Sequence, residues 1–285
     1  MPLCSLHLLS LHPTTPNPLS TFLSILKSSN NKPLVISRVI RWIILPTQIS
    51  TEHLLARNTH WDLFLILPST DALPAQVSKL VQHHWHITAG VPSRLVQGFG
   101  EKNRGLLHPD ASAVPELSSE NGKGVQTTSS SQNLELSAGL EAWIESFVGA
   151  GGKEAKGAVS MFNLLAFKPG QKAEYLKYGA AFAKSIGSRH GGDAKVVGNV
   201  VTPSKPRDTE AEGGEKAQDA SQDGWDEIAL AHYPSILHFR DMLLSRDYQE
   251  VNHRYRVPSL RDTAILMTSE IGIEELVRGG GEAKL

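Results

Sequence analysis

The feature that most constrains this chain is that its two halves can be laid over each other. His7-Leu8-Leu9-Ser10-Leu11-His12-Pro13 stands against Asn163-Leu164-Leu165-Ala166-Phe167-Lys168-Pro169, and Trp61-Asp62 with Pro68-Ser69 stands against Trp225-Asp226 with Pro234-Ser235. An internal repeat is the economical reading, and 285 residues suffice for two units that each bury a core.

The later copy is the clearer one. Val159 to Phe167 is a β run closed by Pro169-Gly170, and Lys172 to Arg189 carries apolar residues at helical spacing until Gly191-Gly192. Lys195 to Val201 and Glu227 to His232 read as strands, Ser235 to Leu244 as a helix opened by a serine cap, and Ala264 to Thr268 as the last strand. That is a βαββαβ unit. The earlier copy repeats it, with strands at Ser5–Leu11, Leu34–Leu45 and Trp61–Leu67, helices at Leu19–Ser28 and Ala75–His86, and a final strand at Arg94–Phe99. The fold expected is α+β: tandem ferredoxin-like domains whose four-stranded sheets pack face to face as a pseudo-dimeric α/β barrel, since one sheet face of each copy needs a cover.

The units follow from this: residues 1–100, a degenerate N-terminal half-barrel; 101–135, a flexible linker rich in Ser, Gly, Asn and Gln; and 136–157, a docking helix marked by Leu140, Trp143, Ile144 and Phe147. Residues 158–272 form the C-terminal half-barrel with a mobile, acidic insertion at 203–224, and 273–285 a flexible tail.

Composition excludes several classes. A hydrophobic fraction of 40%, a charged fraction of 20% and a net charge of -1 describe an ordinary globular chain. Lysines and arginines are scattered among acids, so no nucleic-acid partner is expected. No apolar run reaches the ~18–20 residues of a membrane span, because Arg38 and Arg41 interrupt Leu34 to Leu45. The apolar stretch Leu3 to Leu11 has no basic residue before it and contains His7, so it reads as a strand and not a signal peptide. The single Cys4 rules out an internal disulfide and fits a reducing, cytoplasmic setting. Ala283-Lys284-Leu285 resembles the Ser-Lys-Leu peroxisomal address, which makes the peroxisome the alternative.

The run Met161-Phe162-Asn163-Leu164-Leu165-Ala166-Phe167, Tyr175 with Tyr178 and Gly179, His190-Gly191-Gly192, and Trp225-Asp226-Glu227 followed by Tyr233-Pro234-Ser235 resemble a dimeric α/β-barrel family. It is a domain-of-unknown-function branch similar to antibiotic-biosynthesis-monooxygenase and EthD-like proteins. The likeness continues through Phe239, Asp247-Tyr248-Gln249 and Arg254, covers Val159 to Thr268, and is departed from by the acidic insertion. The N-terminal copy lacks the asparagine, the paired tyrosines and the His-Gly-Gly turn. The resemblance implies a cofactor-independent oxygenase or isomerase acting on small aromatic or polyketide-like molecules. The alternative is a non-catalytic small-molecule-binding or structural protein, since fold does not imply function.

On that basis Asn163, His190 and Trp225 are the catalytic candidates, and Tyr175, Tyr178, Tyr233, Phe239 and His253 the substrate-binding ones, around a pocket between helix and sheet. Each has a plainer reading: Asn163 bonding neighbouring backbone, Trp225 as core at a strand start, His190 at a helix C-terminus where a cation is favoured. His83, His84 and His86 lack the i, i+4 spacing of helical metal ligands, so no metal site is expected, and neither a phosphate loop nor a nucleophile elbow occurs. No cofactor is called for, although related folds bind haem without a short motif, which leaves haem open. A small molecule is the expected partner and a monomer the expected state, because each half supplies the other's sheet.

Overall fold

The computed structural model describes residues 1–29, 32–56, 58–118, 127–201, 218–219 and 224–282. Several of its strands are buried on both faces. The first, β1 (Leu3–Leu11), is buried at every position after Leu3, a pattern that requires cover above and below the sheet. The N-terminal unit continues with α1 (Pro18–Ser28), β2 (Val35–Ile44), β3 (Leu63–Leu67), α2 (Ala75–Ser78) and β4 (Val81–Gly90). Four helices follow: α3 (Ser93–Val96), α4 (Phe99–Leu107), α5 (Ala138–Gly149) and α6 (Gly152–Lys156). The C-terminal unit opens with β5 (Val159–Phe167), then α7 (Lys172–Ala181), which runs through a π-helical turn at Phe182–Ile186 into α8 (Gly187–His190). Next come β6 (Asp193–Val200), β7 (Gln218–Asp219), β8 (Glu227–Tyr233), α9 (Ile236–Leu244) and α10 (Arg246–Val251). The second π-helical turn of this unit, at Asn252–Arg256, leads to α11 (Val257–Ser259), β9 (Leu260–Ser269) and α12 (Ile271–Glu282). Among the described residues no helix is long and apolar enough to cross a membrane.

The result is an α+β fold with eight long antiparallel strands. Within the first unit the order is β4-β1-β3-β2, and within the second β9-β5-β8-β6. The edges then join: β2 pairs with β9 from Arg38↔Ser269 to Ile44↔Ile265, and β4 pairs with β6 through Ala89↔Val200 and Gly90↔Asn199. Each of the eight therefore has two partners, which leaves none of them as a bare edge open to aggregation. The short β7 adds a parallel pair to β4.

Alternation along the strands sorts the side chains. Leu6, Leu8, Phe64, Trp85 and Ile87 from the first unit meet Phe162, Leu164, Leu230 and Leu266 from the second in one buried cluster. The rings of Phe64 and Phe162 lie 4.5 Å apart. Each such side chain contributes about 1.5–3 kcal/mol by full burial. On the opposite face, Leu9, Leu63 and Leu65 pack beneath Phe22 and Leu26 of α1, while Met161 and Met267 pack beneath Phe239 and Met242 of α9 and Ile144 of α5.

The repeated Trp-Asp pair has one structural role in both units. Asp62 Oδ2 accepts the Leu11 amide at 2.7 Å and Asp226 Oδ2 accepts the Phe167 amide at 2.7 Å. The return bonds, Asp62 N–H to Leu9 O at 2.9 Å and Asp226 N–H to Leu165 O at 2.8 Å, also match. Trp61 and Trp225 are both buried in the shared cluster.

Several expectations are corrected. The helix expected over Ala75–His86 stops at Ser78, and Val81–Gly90 is the fourth strand, because only an extended Trp85 and Ile87 reach the shared interior while their neighbours face outward. The strand expected at Arg94–Phe99 is instead helical, in α3 and α4, since β4 has already filled the place beside β1. Residues 101–107, expected in a flexible linker, belong to α4. There Asn103 Nδ2 donates to Glu270 Oε2 at 2.7 Å and Asn103 Oδ1 accepts from the fully buried Lys195 Nζ at 2.9 Å, while Lys195 also pairs with Glu270. A buried lysine needs such partners, so this network fixes α4 against the ends of β6 and β9. Leu134 of the same stretch is buried, and 119–126 lie outside the described residues. The tail expected from 273 is helical to Glu282, with Ile273 buried against the cluster beneath α1. Of the insertion at 203–224, only Gln218–Asp219 and Gly224 are described. Ala283, Lys284 and Leu285 lie outside the described residues.

Candidate functional site

Tyr175 and Tyr178 are one turn apart on α7, so both project from the same side, towards the outer face of the C-terminal sheet. Their rings lie 5.4 Å apart, Phe167 stacks 5.0 Å from Tyr175, and Phe182 lies 6.3 Å from Tyr178. From the other side, α10 brings Tyr248 to 6.4 Å from Tyr178, with 3.4 Å between their hydroxyl oxygens. Tyr233 at the end of β8 meets Phe239 edge-on at 5.2 Å and donates to Met242 Sδ at 3.4 Å. Four of the five tyrosines of the chain thus lie in one layer.

Among them sits Arg256, the last residue of the second π-helical turn, only 2% exposed. Its Nη2 reaches Thr263 Oγ1 at 3.4 Å. Its positive charge acts on Tyr175, Tyr178, Tyr233 and Tyr248 alike. Among the described residues it has no carboxylate in salt-bridge contact; the nearby Glu227 pairs instead with Lys172 at 3.3 Å. A guanidinium has five donors, and buried arginines are ordinarily paired. The same turn holds Asn252, fully buried, whose Oδ1 has no partner among the described residues. Single π-helical turns of this kind often occur at functional sites.

Burial pushes all four tyrosine hydroxyls above their ordinary range, with Arg256 opposing the shift. They therefore keep their protons at neutral pH. The layer can donate hydrogen bonds and present one fixed positive charge, a combination suited to an anionic group on an aromatic body.

The structure brings together Tyr175, Tyr178, Tyr233 and Phe239. It does not bring together Asn163, His190 and Trp225. Asn163 shares the helix-side face of β5 with Met161, and its Nδ2 donates to Met161 O at 2.8 Å. Trp225 points into the shared interior on the other face, and its Nε1 has no partner among the described residues. His190 ends α8 with Nδ1 3.3 Å from Asp241 Oδ2 and Nε2 3.9 Å from Asp247 Oδ1. His253 is half-exposed and pairs with Glu135 at 3.1 Å. Arg256 escaped the sequence reading because it follows His253, Arg254 and Tyr255, a polar run typical of a surface; the π-helical turn that buries it leaves no short signature. A cleft of about 570 Å³ lies elsewhere, between α4, α6 and the start of α12, with Lys153 and Lys156 facing Glu274 and Glu275.

No protein-family model matches this chain, and a search of curated proteins finds no relative in sequence. Among solved structures it is similar to the RPA0582 protein of unknown function from Rhodopseudomonas palustris, at 19% identity and a TM-score of 0.32 over 47% of this chain and 92% of that one. The methylated form of that protein aligns with a TM-score of 0.33. A protein of Lactobacillus acidophilus, provisionally described as a monooxygenase, aligns over 94% of this chain and 92% of its own at 6% identity and a TM-score of 0.39. All three TM-scores lie below 0.5, and neither fold nor reaction is taken from them.

Proposed function

We propose that the two units are ferredoxin-like copies closing a pseudo-dimeric α/β barrel in one chain, and that the C-terminal copy binds a small aromatic anion between its helices and its sheet. The support for the fold is the shared strand order and the joined edges. The observation that carries the ligand class is Arg256, buried among four protonated tyrosines with no carboxylate in salt-bridge contact among the described residues. An incoming carboxylate or phenolate supplies the missing charge and accepts from the hydroxyls.

Binding is favoured over turnover. An oxygenase or isomerase needs a base beside its substrate, and tyrosines whose acidity is suppressed cannot serve. The sequence-derived catalytic trio is divided between two faces of the sheet and the end of a helix.

The test is calorimetric titration of the purified chain with benzoate, salicylate and 1-naphthoate beside the neutral phenol and benzamide, repeated with Arg256→Met and Tyr178→Phe. The acids are expected to bind more tightly than their neutral counterparts, and Arg256→Met to erase that preference while the unliganded protein keeps its melting temperature. Equal affinity for acids and neutral compounds, or an Arg256→Met protein that retains the preference, overturns the reading. Sedimentation is expected to give a monomer, and a dimer counts against intramolecular pairing of the two copies.

A further inference from the structure

The fourth strand of the N-terminal unit carries His-His-Trp-His, and alternation turns Trp85 inward and His84 and His86 together outward. Across from them β1 places His7 directly opposite His86. Ring centroids are 5.1 Å apart for His7 and His84, 5.9 Å for His7 and His86, and 5.5 Å for His84 and His86. The strands β1 and β4 stand in their unit where β5 and β9 stand in the other, and His7 occupies the position of Asn163 in the repeat. The objection that these histidines lack a helical i, i+4 spacing disappears once the segment is a strand.

Hydrogen bonding fixes the form of His7. The Ser5 hydroxyl spends its one proton on Ser69 O at 2.8 Å, so at 2.8 Å from His7 Nε2 it accepts. His7 is therefore protonated on Nε2 and presents a lone pair at Nδ1, which lies 2.8 Å from His84 Nε2. An imidazole oriented through its far nitrogen is the usual preparation of a metal ligand. His7 is buried, whereas His84 and His86 are partly exposed, which gives an ion a way in.

We propose that His7, His84 and His86 form a binding site for a divalent late transition metal, of which copper(II) is the strongest binder to nitrogen ligands and nickel(II) the next. Among the described residues no three such groups already converge on one point. Binding therefore turns His84 out of its bond to His7 and brings the His86 ring round as the third ligand.

The experiment uses the tag-free full chain stripped with chelator, titrated with copper(II) and nickel(II) by calorimetry and followed by electron paramagnetic resonance of the copper form. One equivalent with nitrogen hyperfine coupling is expected, with affinity at least tenfold lower in each of His84→Gln and His86→Gln, and folding of both checked by circular dichroism. Ser5→Ala frees the His7 tautomer and should also weaken binding without removing a ligand. Absence of a one-equivalent site, or a site unchanged in both glutamine variants, overturns the proposal and leaves the three rings as a hydrogen-bonded structural chain.

Discussion

The two units share a strand order and differ in what they place on the helix side of the sheet. In the C-terminal unit long helices cover that face, and the position after the second helix is a buried arginine among tyrosines. In the N-terminal unit the second helix is a single turn, no tyrosine occurs, and the equivalent strands carry histidines. The interior between the sheets, by contrast, is one apolar cluster drawn from both. The side chains shared between the two sheets close the fold, while the two units differ on their outer faces, where each has only its own helices to satisfy.

The largest expected effect attacks the shared interior. Phe162→Ala removes the ring that meets both Phe64 and Trp85 and should cost about 3–5 kcal/mol, with both units unfolding in a single denaturant transition. Two separate transitions would mean that the units are energetically independent.

Acid should strike the N-terminal unit next. His7 and His84 have their folded proton affinities depressed, so their contribution is fully present above the ordinary histidine value near 6.5 and is lost as pH falls towards 3. His232 in the C-terminal unit, also lowered to about 3 by burial and the nearby Lys195, adds to the same loss. Urea midpoints are expected to fall between pH 7 and pH 4.5, and His84→Gln to flatten that dependence. An unchanged slope in the variant would remove the histidine contrast between the units.

The matched aspartates give a smaller effect and a stricter comparison. Asp62→Ala and Asp226→Ala each leave a buried amide without its carboxylate acceptor, and each should cost about 1.5–3 kcal/mol. Chemical denaturation of the two variants should give losses that agree closely; a large inequality breaks the equivalence of the units.

Smallest in stability is Arg256→Met. Replacing a buried charge that lacks a counter-ion by an apolar side chain is expected to leave the melting temperature unchanged or to raise it. A marked fall would make Arg256 a structural residue and remove the main contrast between the two outer faces.

Much of this architecture was written locally. The Trp-Asp pairs and the apolar strand runs are short-range patterns, and Trp61, Trp225 and the strand residues facing the shared interior are buried together. The tyrosines 175, 178 and 233 were also legible, because helical spacing and strand ends place them on one side of the sheet. What sequence could not settle are choices between two locally acceptable states. The His83–His86 segment suits a helix or a strand, and the vacancy beside β1 decides for the strand. Residues 101–107 and 273–282 look like linker and tail, and become helices because Asn103, Glu270 and Ile273 find partners more than a hundred residues away. The burial of Arg256 and the meeting of His7 with His84 are of the same kind. Sequence by itself determined the α+β class and most of the apolar strands, since those signals lie within a turn or a strand of one another. Tertiary structure alone decided which polar groups lose their water, because that depends on what the rest of the chain lays over them.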